Sequence, residues 1–124
     1  MIVMSVSTTA CGIDFGTSNS TVALLSKTQK IDMVRLEKDK QTLPSVVFFD
    51  ASDKVYFGRE AISLYLQGEE GRLLRSIKSI LGTSLMQEKT RINKRNIDFT
   101  QILTHFIKHL KLNESLYDLQ SFLK

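Results

Sequence analysis

The chain has 124 residues, of which 42% are hydrophobic and 24% charged, and its net charge is +4, which is typical of one globular domain. It lacks the roughly 18 consecutive apolar residues of a membrane-spanning helix, and its one cysteine, Cys11, cannot form an internal disulfide, which fits a reducing, cytoplasmic compartment. Basic residues are concentrated in residues 71–124, with 10 Lys and Arg against 4 Asp and Glu. Because aromatic residues do not interleave with them, we interpret this half as a solvated helix face, not a nucleic-acid site.

The first predicted element is a β-hairpin. Residues 1–10 are expected to form a disordered leader ahead of it. An apolar run that contains Cys11 ends in Asp14, and a second apolar run begins at Val22. Turn-forming residues separate the two runs, which predicts a hairpin. Cys11 is expected to be a buried small hydrophobe in the first strand.

The tip of this hairpin carries more polar groups than a turn requires. Its polar residues are Thr17, Ser18, Asn19 and Ser20. Gly16 is expected to adopt a positive φ and to admit a ligand, while successive backbone amides form an anion site. Asp14 is placed to hold a divalent metal, directly or through its waters. These features indicate nucleotide phosphate with magnesium; a plain tight hairpin, with Asp14 bonding its own turn, remains the alternative.

Three more strands are predicted before the first helix. Residues 31–36 are expected to add a third antiparallel strand to the hairpin. Pro44, the only proline, stiffens the approach to a strand over residues 46–49, and Val55–Phe57 forms a short strand. Regular spacing of short apolar runs between polar turns predicts an antiparallel sheet in this half.

Helical periodicity follows the strands. Residues 59–66 predict a short helix. The apolar residues on one side of it are Ile62, Tyr65 and Leu66. Residues 73–81 also have apolar side chains at helical spacing, but the segment is short and its structure stays open. Residues 83–96 are polar and predict a loop or a loose helix.

Asp98 begins the clearest predicted helix, because Gln101 three residues later gives the pair the form of a capping box. An apolar stripe at helical spacing must pack on another element. Its residues are Phe99, Ile102, Leu103, Phe106, Ile107 and Leu110. His105 and His109 lie on the opposite face; a zinc site would need a third ligand, so we interpret both as solvated. One last helix is predicted through Leu112, Leu116, Leu119 and Leu123.

Four stretches resemble the heat-shock protein 70 chaperones, a family of the actin-like ATPase superfamily. Gly-Ile-Asp-Phe-Gly-Thr-Ser-Asn-Ser at 12–20 resembles the first phosphate motif of that family. Further resemblances follow in the right order: Thr-Leu-Pro-Ser-Val-Val at 42–47, Val-Tyr-Phe-Gly-Arg-Glu-Ala at 55–61 and Arg-Ser-Ile-Lys-Ser-Ile-Leu-Gly at 75–82. Bacterial actins share the earlier features, and the segment that contains Lys78 favours the chaperones.

The resemblance implies a fold and a set of roles. The expected fold class is α+β, a mixed sheet with helices, as a partial actin-like, ribonuclease H-like ATPase lobe. Asp14 would hold magnesium through its water shell, and Lys78 would lie against the γ-phosphate of ATP and position the attacking water. The β- and γ-phosphates would be wrapped by Gly16, Thr17, Ser18 and Asn19.

The resemblance also has limits. Phe15, Leu43 and Ser79 depart from the family pattern, which indicates a divergent bacterial branch and leaves client handling open. The second phosphate loop, the adenosine-binding segment and the peptide-binding domain have no counterpart here. Residues 1–124 are therefore expected to be the N-terminal part of an actin-like ATPase domain, either a truncated product or a piece of a longer protein. Hydrolysis of ATP by this chain alone is expected to be weak or absent, since one cleft wall cannot exclude water.

The function implied by the resemblance is binding of ATP or ADP with magnesium, as the N-terminal fragment of a chaperone ATPase of the stress response. Unfolded clients and co-chaperones would bind through the missing regions. Three alternatives are a filament-forming, bacterial-actin-like ATPase, a sugar or acid kinase of the same superfamily, and an interaction module. The exposed stripe of an incomplete lobe would favour self-association.

Overall fold

A hairpin opens the fold, as predicted. In the computed structural model the backbone is described for residues 8–123 and the side chains for residues 10–114. Strands β1 (Thr8–Phe15) and β2 (Asn19–Ser26) pair antiparallel. Strand β1 begins inside the predicted leader, because its pairing with β2 continues to Thr8; residues 1–7 of that leader lie outside the described residues.

Two short strands join β2 to complete the first sheet. Strand β3 (Ile31–Met33) pairs along the second half of β2, and β4 (Leu43–Pro44) pairs with its first residues. The strand predicted over residues 31–36 is shorter than expected, because the N–H of Leu36 donates to the carbonyl of Lys40 at 2.8 Å in a tight turn. This turn directs the chain back toward β4.

The second sheet has β5 (Val47–Asp50) at its centre. Strands β6 (Val55–Phe57) and β7 (Gly71–Leu74) pair with it on either side, both antiparallel. The first residues of segment 73–81 therefore lie in a strand, and only its later part is helical, as a 3-10 turn at Ile77–Ile80. Pairing with β5 outweighs the helical spacing of these apolar residues.

Helix α1 (Gly58–Leu66) is confirmed, but only part of its predicted apolar side is covered, since Ile62 packs against a buried cluster. Ala61 is fully buried, whereas Tyr65 and Leu66 are exposed. The helix follows β6 without a loop, and the N–H of Gly58 donates to the carbonyl of Val46 at 3.0 Å. The first turn of α1 is thus held against the second sheet, so its apolar residues near the C-terminus reach solvent.

Residues 83–96 do not form the predicted loop or loose helix. After a 3-10 turn they form most of a third, two-stranded sheet, β8 (Lys89–Ile92) and β9 (Arg95–Asp98). Its two turn residues, Asn93 and Lys94, both have a positive φ, of 49° and 67°. This is the geometry that a two-residue hairpin turn needs. Because Lys94 stands where glycine is usual, the turn is only weakly marked in the sequence.

Helix α2 (Phe99–Leu123) begins with the predicted capping box. The N–H of Gln101 donates to Asp98 Oδ1 at 2.7 Å, and the N–H of Asp98 donates to Gln101 Oε1 at 3.3 Å. The stripe is confirmed, because Ile102, Phe106 and Leu110 are fully buried. The last predicted helix is a continuation of the α2 backbone. Its residues Leu116, Leu119 and Leu123 have side chains outside the described ones.

Beside a smaller cluster under α1, a main hydrophobic core joins all three sheets to α2. Its buried residues include Val22 of β2, Phe49 of β5, Ile97 of β9 and Phe106 of α2. The α+β fold class, with sheets and helices in one packed lobe, is confirmed. Every strand pairing in the part of the chain that the structure describes is antiparallel. Neither α1 nor the described part of α2 is long and apolar enough to cross a membrane.

His109 does not lie on a solvated face as predicted. Its ring stacks on Phe57, with centroids 4.1 Å apart and the planes at 14°. Partial burial lowers the pKa of His109 from 6.5, and the negative charges of Glu37 and Glu60 oppose that shift. His105 is exposed and approaches Phe49 edge-on, at 6.0 Å between centroids. The two histidines of α2 therefore have different surroundings.

The depressed pKa of His109 predicts a dependence of stability on pH. The unfolded chain binds a proton at His109 more readily than the folded chain. The contribution of His109 to the free energy of unfolding is therefore complete above about pH 6.5, and the free energy of unfolding decreases as the pH falls below that value. We expect His109→Phe, which keeps a ring against Phe57, to flatten this fall in urea titrations at a series of pH values. His105→Gln serves as the control and should keep the wild-type slope; equal slopes in both variants would contradict the prediction.

Candidate functional site

The β1–β2 turn, residues 16–19, exposes its polar groups to solvent. Asp14, Thr17, Ser18 and Asn19 are all exposed. The N–H of Gly16 donates to the carbonyl of Asn19 at 3.0 Å and closes the turn. Within residues 10–114, no hydrogen bond or ion pair holds the Asp14 carboxylate, and the N–H groups of Thr17 and Ser18 have no acceptor. In this structure Asp14 therefore does not bond its own turn, and these groups are accessible to a ligand.

Gly16 is required for a reason other than the one predicted. Its φ is not positive. A Cβ at this position would lie 2.5 Å from the carbonyl oxygen of Asn19, closer than real Cβ contacts allow. The absence of a Cβ at Gly16 thus lets its backbone approach that of Asn19 closely enough to close the turn. The expectation of a positive φ was wrong, because the bend is closed by this short backbone contact.

A buried serine supports the turn from the inner side. Ser45, directly after β4, donates its N–H to the carbonyl of Ser18 at 2.9 Å and its hydroxyl to the carbonyl of Gly16 at 2.8 Å. Its hydroxyl also lies 2.9 Å from that of Ser20, and both serines are fully buried. Sequence reasoning missed Ser45 as a site residue. The signal was its place in the Thr-Leu-Pro-Ser segment, which was interpreted as a stiff approach to a strand and as a family resemblance, with no role given to Ser45.

Lys78 lies on a different element from the other predicted site residues. It is exposed on the 3-10 turn at Ile77–Ile80, whose first residue is buried in the main core. Among residues 10–114, no hydrogen bond or ion pair is made by the Lys78 side chain. The hairpin thus brings Asp14 and residues 16–19 together, while Lys78 reaches solvent from a separate, core-anchored turn.

The three departures from the family pattern are accommodated locally. Phe15 packs against Phe106, with ring centroids 5.5 Å apart. Leu43 is fully buried and occupies the space that a Cβ on Gly58 would need. Ser79 donates its hydroxyl to the carbonyl of Ser76 at 2.7 Å, within its own 3-10 turn. None of these three side chains bonds to the β1–β2 turn.

Cys11 is exposed, not buried as predicted. Strand β1 is at the edge of the first sheet among residues 8–123, and its residues 10–14 are exposed on both faces, which leaves Cys11 accessible. Partial burial and the negative charge of Glu114 raise the pKa of its thiol, and Lys111 opposes that effect. In the described residues no three His, Cys, Asp or Glu side chains are grouped closely enough to hold a metal ion.

Two open clefts lie away from the β1–β2 turn. One, of about 490 Å³, is lined by residues such as Asp53, Arg95 and Lys108. The other, of about 1000 Å³, lies beside α1 and is lined mainly by α1, β6 and the turn at residues 36–40. None of the predicted site residues lines either cleft. The candidate site is therefore an exposed turn at the edge of the fold, not an enclosed pocket.

Comparison with known proteins identifies the family. The family model described as Hsp70 protein matches residues 10–112, so the chain belongs to the Hsp70 family. It is 39% identical over 82 residues to a chaperone protein HscA homolog of Pasteurella multocida. The aligned region covers 66% of this chain and 13% of the relative. It is 27% identical over 106 residues to the chaperone protein DnaK of Thermosipho melanesiensis, covering 86% of this chain and 17% of the relative. The chain is also 29% identical over 106 residues to the chaperone protein DnaK of Thermotoga maritima, again covering 86% of this chain and 17% of the relative.

The chain spans 13 to 17% of the length of these relatives. The match reaches beyond Gly82, after which the motif resemblance is only faint, and includes the first half of α2. The prediction that the chain belongs to the heat-shock 70 family, as an N-terminal portion of such a protein, is confirmed.

Proposed function

We propose that this chain is the phosphate-binding N-terminal part of a chaperone ATPase that uses ATP and magnesium. The observation that carries the proposal is the β1–β2 turn, where the exposed carboxylate of Asp14 and the unbonded N–H groups of Thr17 and Ser18 are close in sequence on one hairpin. Family membership supports nucleotide as the ligand. Oxygen from a carboxylate suits magnesium, and backbone N–H groups suit phosphate oxygens.

The residues present fit the implied group. Asp14 would hold the magnesium ion through its waters, since the described part of the chain has no group of three or more metal-ligating side chains. Gly16, Thr17, Ser18 and Asn19 would contact the β- and γ-phosphates with N–H, hydroxyl and amide groups. Lys78 would supply a positive charge near the terminal phosphate. When bound, magnesium neutralises phosphate charge, which is the main requirement of phosphoryl transfer.

Residues 1–124 are proposed to be one part of an ATPase domain, with the rest of the nucleotide cleft formed by segments that the longer relatives carry. Because a single wall cannot fix both ends of a nucleotide, we propose that hydrolysis by this chain alone is weak or absent. Clients and co-chaperones would bind segments other than these, in the cytoplasm. ATP hydrolysis by the purified chain that Lys78→Ala abolishes would contradict this proposal.

Asp14→Asn tests the metal side of the proposal. We expect it to weaken binding of magnesium-ATP at least about tenfold, because the variant loses the negative charge that would face the metal. Binding is measured by the broadening of ³¹P resonances of magnesium-ATP on titration with the chain. Asp32→Asn is the matched control, since Asp32 is an exposed aspartate of the same sheet. Equal binding by the two variants would refute the metal assignment.

Lys78→Ala tests the charge proposed to lie near the terminal phosphate. The variant should weaken broadening of the γ-phosphate resonance more than that of the α-phosphate resonance. Lys27→Ala, in the turn at the far end of the hairpin, removes the same charge away from the site. The same loss in both variants would mean that Lys78 contributes only general positive charge.

A further inference from the structure

No role was predicted for Ser45, which lies fully buried beside the β1–β2 turn. Its hydroxyl donates to the carbonyl oxygen of Gly16 at 2.8 Å. A hydroxyl carries one proton, so the 2.9 Å hydrogen bond between the Ser45 and Ser20 hydroxyls must be donated by Ser20. The two serines therefore form a directed relay that runs from Ser20 through Ser45 to the Gly16 carbonyl.

The backbone of Ser45 holds a second carbonyl of the same turn. Its N–H donates to the carbonyl of Ser18 at 2.9 Å. The described peptide bonds are all trans, and in a planar trans peptide the N–H points opposite to the carbonyl. Holding the Gly16 carbonyl toward Ser45 thus directs the N–H of Thr17 away from Ser45. Because the Ser18 carbonyl is also held toward Ser45, the N–H of Asn19 likewise points away from Ser45.

We propose that Ser45 is a positioning residue of the phosphate site, which keeps the N–H groups of Thr17 and Asn19 directed outward toward the phosphates. This rests on the proposed function, because it takes phosphate as the ligand of the turn. Removing the Ser45 hydroxyl takes this partner from the buried Ser20 hydroxyl and from the partly buried Gly16 carbonyl. The turn then rotates to satisfy them, and its N–H groups lose their common direction.

Ser45→Ala in the full chain tests this proposal by ligand binding. We expect about tenfold weaker binding of magnesium-ATP, and the same loss for magnesium tripolyphosphate, because the effect is on the phosphate side. Ser45→Thr keeps the hydroxyl and should restore binding. Ser26→Ala is the matched control, since it removes a hydroxyl bond of the same 2.9 Å length, to Thr28, at the other end of the hairpin. Binding is normalised to the folded fraction from urea unfolding.

A second measurement needs no ligand. The ¹⁵N–¹H resonance of Thr17 should move in Ser45→Ala and stay in place in Ser26→Ala, because only the first change frees the Gly16 carbonyl. If Ser45→Ala does not fold, Ser20→Ala removes the donor to Ser45 and should give a smaller shift of the same resonance.

An unmoved Thr17 resonance, or wild-type phosphate binding by the folded Ser45→Ala variant, would overturn the proposal. If the wild type binds neither magnesium-ATP nor tripolyphosphate, the proposed function and the phosphate role of Ser45 both fail. A Thr17 resonance that still moves would then localise the failure to the ligand, not to the support of the turn.

Discussion

Replacing Phe106 by alanine is expected to lower the free energy of unfolding by about 3–5 kcal/mol, the range for a buried Phe-to-Ala change. Phe106 is fully buried on α2. Its ring lies 5.5 Å from that of Phe15 on β1 and 6.2 Å from that of Phe57 on β6, between centroids. One side chain therefore contacts two different sheets, and its loss leaves a cavity that neither sheet can close alone. Urea denaturation followed by far-UV circular dichroism measures the change.

Leu112→Ala provides the matched control on the same helix. Leu112 is 58% exposed, so its truncation is expected to change the free energy of unfolding by no more than about 0.5 kcal/mol. If Phe106→Ala cost no more than Leu112→Ala, α2 would not be docked on the sheets in solution as the structure has it. Full unfolding of the Phe106→Ala variant would agree with the larger expected loss.

Gly58→Ala is expected to destabilise the chain by about 3 kcal/mol, through two separate causes. The φ of Gly58 is +64°, where a side chain costs roughly 1–2 kcal/mol. The new Cβ would also collide with Leu43 and lie 2.9 Å from Glu37 Oε2, and overpacking costs about 1–3 kcal/mol more. Glu37 Oε2 accepts the N–H of Arg59 at 2.8 Å, so the collision also disturbs the start of α1.

Gly68→Ala separates the two causes of that loss. Gly68 has a φ of +81° but open space around its Cβ position, so only the backbone cost should appear. The difference in unfolding free energy between the Gly58→Ala and Gly68→Ala variants then measures the collision with Leu43 and Glu37. The loss caused by Gly58→Ala should be smaller in a Leu43→Ala background than in the wild type, because that background lacks the side chain with which the new Cβ collides. An equal decrease in the free energy of unfolding in the two glycine variants would show that Leu43 and Glu37 move aside without cost.

Local patterns predicted the elements whose determinants are near in sequence. The capping box of Asp98 and Gln101 is made by two residues of one turn, and both of its hydrogen bonds are present. The stripe of α2 was equally predictable, because a long apolar face at helical spacing has one way to be buried. Val55–Phe57 and the first hairpin also follow from short β-prone runs between turn residues.

Elements fixed by distant partners were not predictable in the same way. The apolar residues at 73–81 have helical spacing, yet Leu73 and Leu74 pair with β5, which lies far earlier in the chain. Cys11 was expected to be buried because free cysteine is among the most buried residue types, but residues 10–14 of β1 are exposed on both faces of the sheet. Nothing near these residues in the sequence signals which strand lies beside them.

The candidate site likewise combines residues that are close in sequence with residues that only the fold brings together. Asp14 and residues 16–19 lie on one hairpin, so their proximity could be predicted from the sequence. Ser45 supports that turn from 29 residues away, through its bond to the Gly16 carbonyl, and no local pattern marks such a contact. The spatial relation of Lys78 to the turn likewise depends on packing of the core, so its role came only from the family resemblance.

The shared core has a consequence for how the chain opens. Residues of all three sheets and of α2 belong to the main buried cluster, and in the described part of the chain only the second sheet has a further, smaller cluster, under α1. Native-state hydrogen exchange should therefore report one cooperative unit, in which the slowest amides of β2, β5 and β9 exchange with the same free energy. Only peripheral amides, such as those of α1 near its exposed Leu66, should exchange through smaller, local fluctuations.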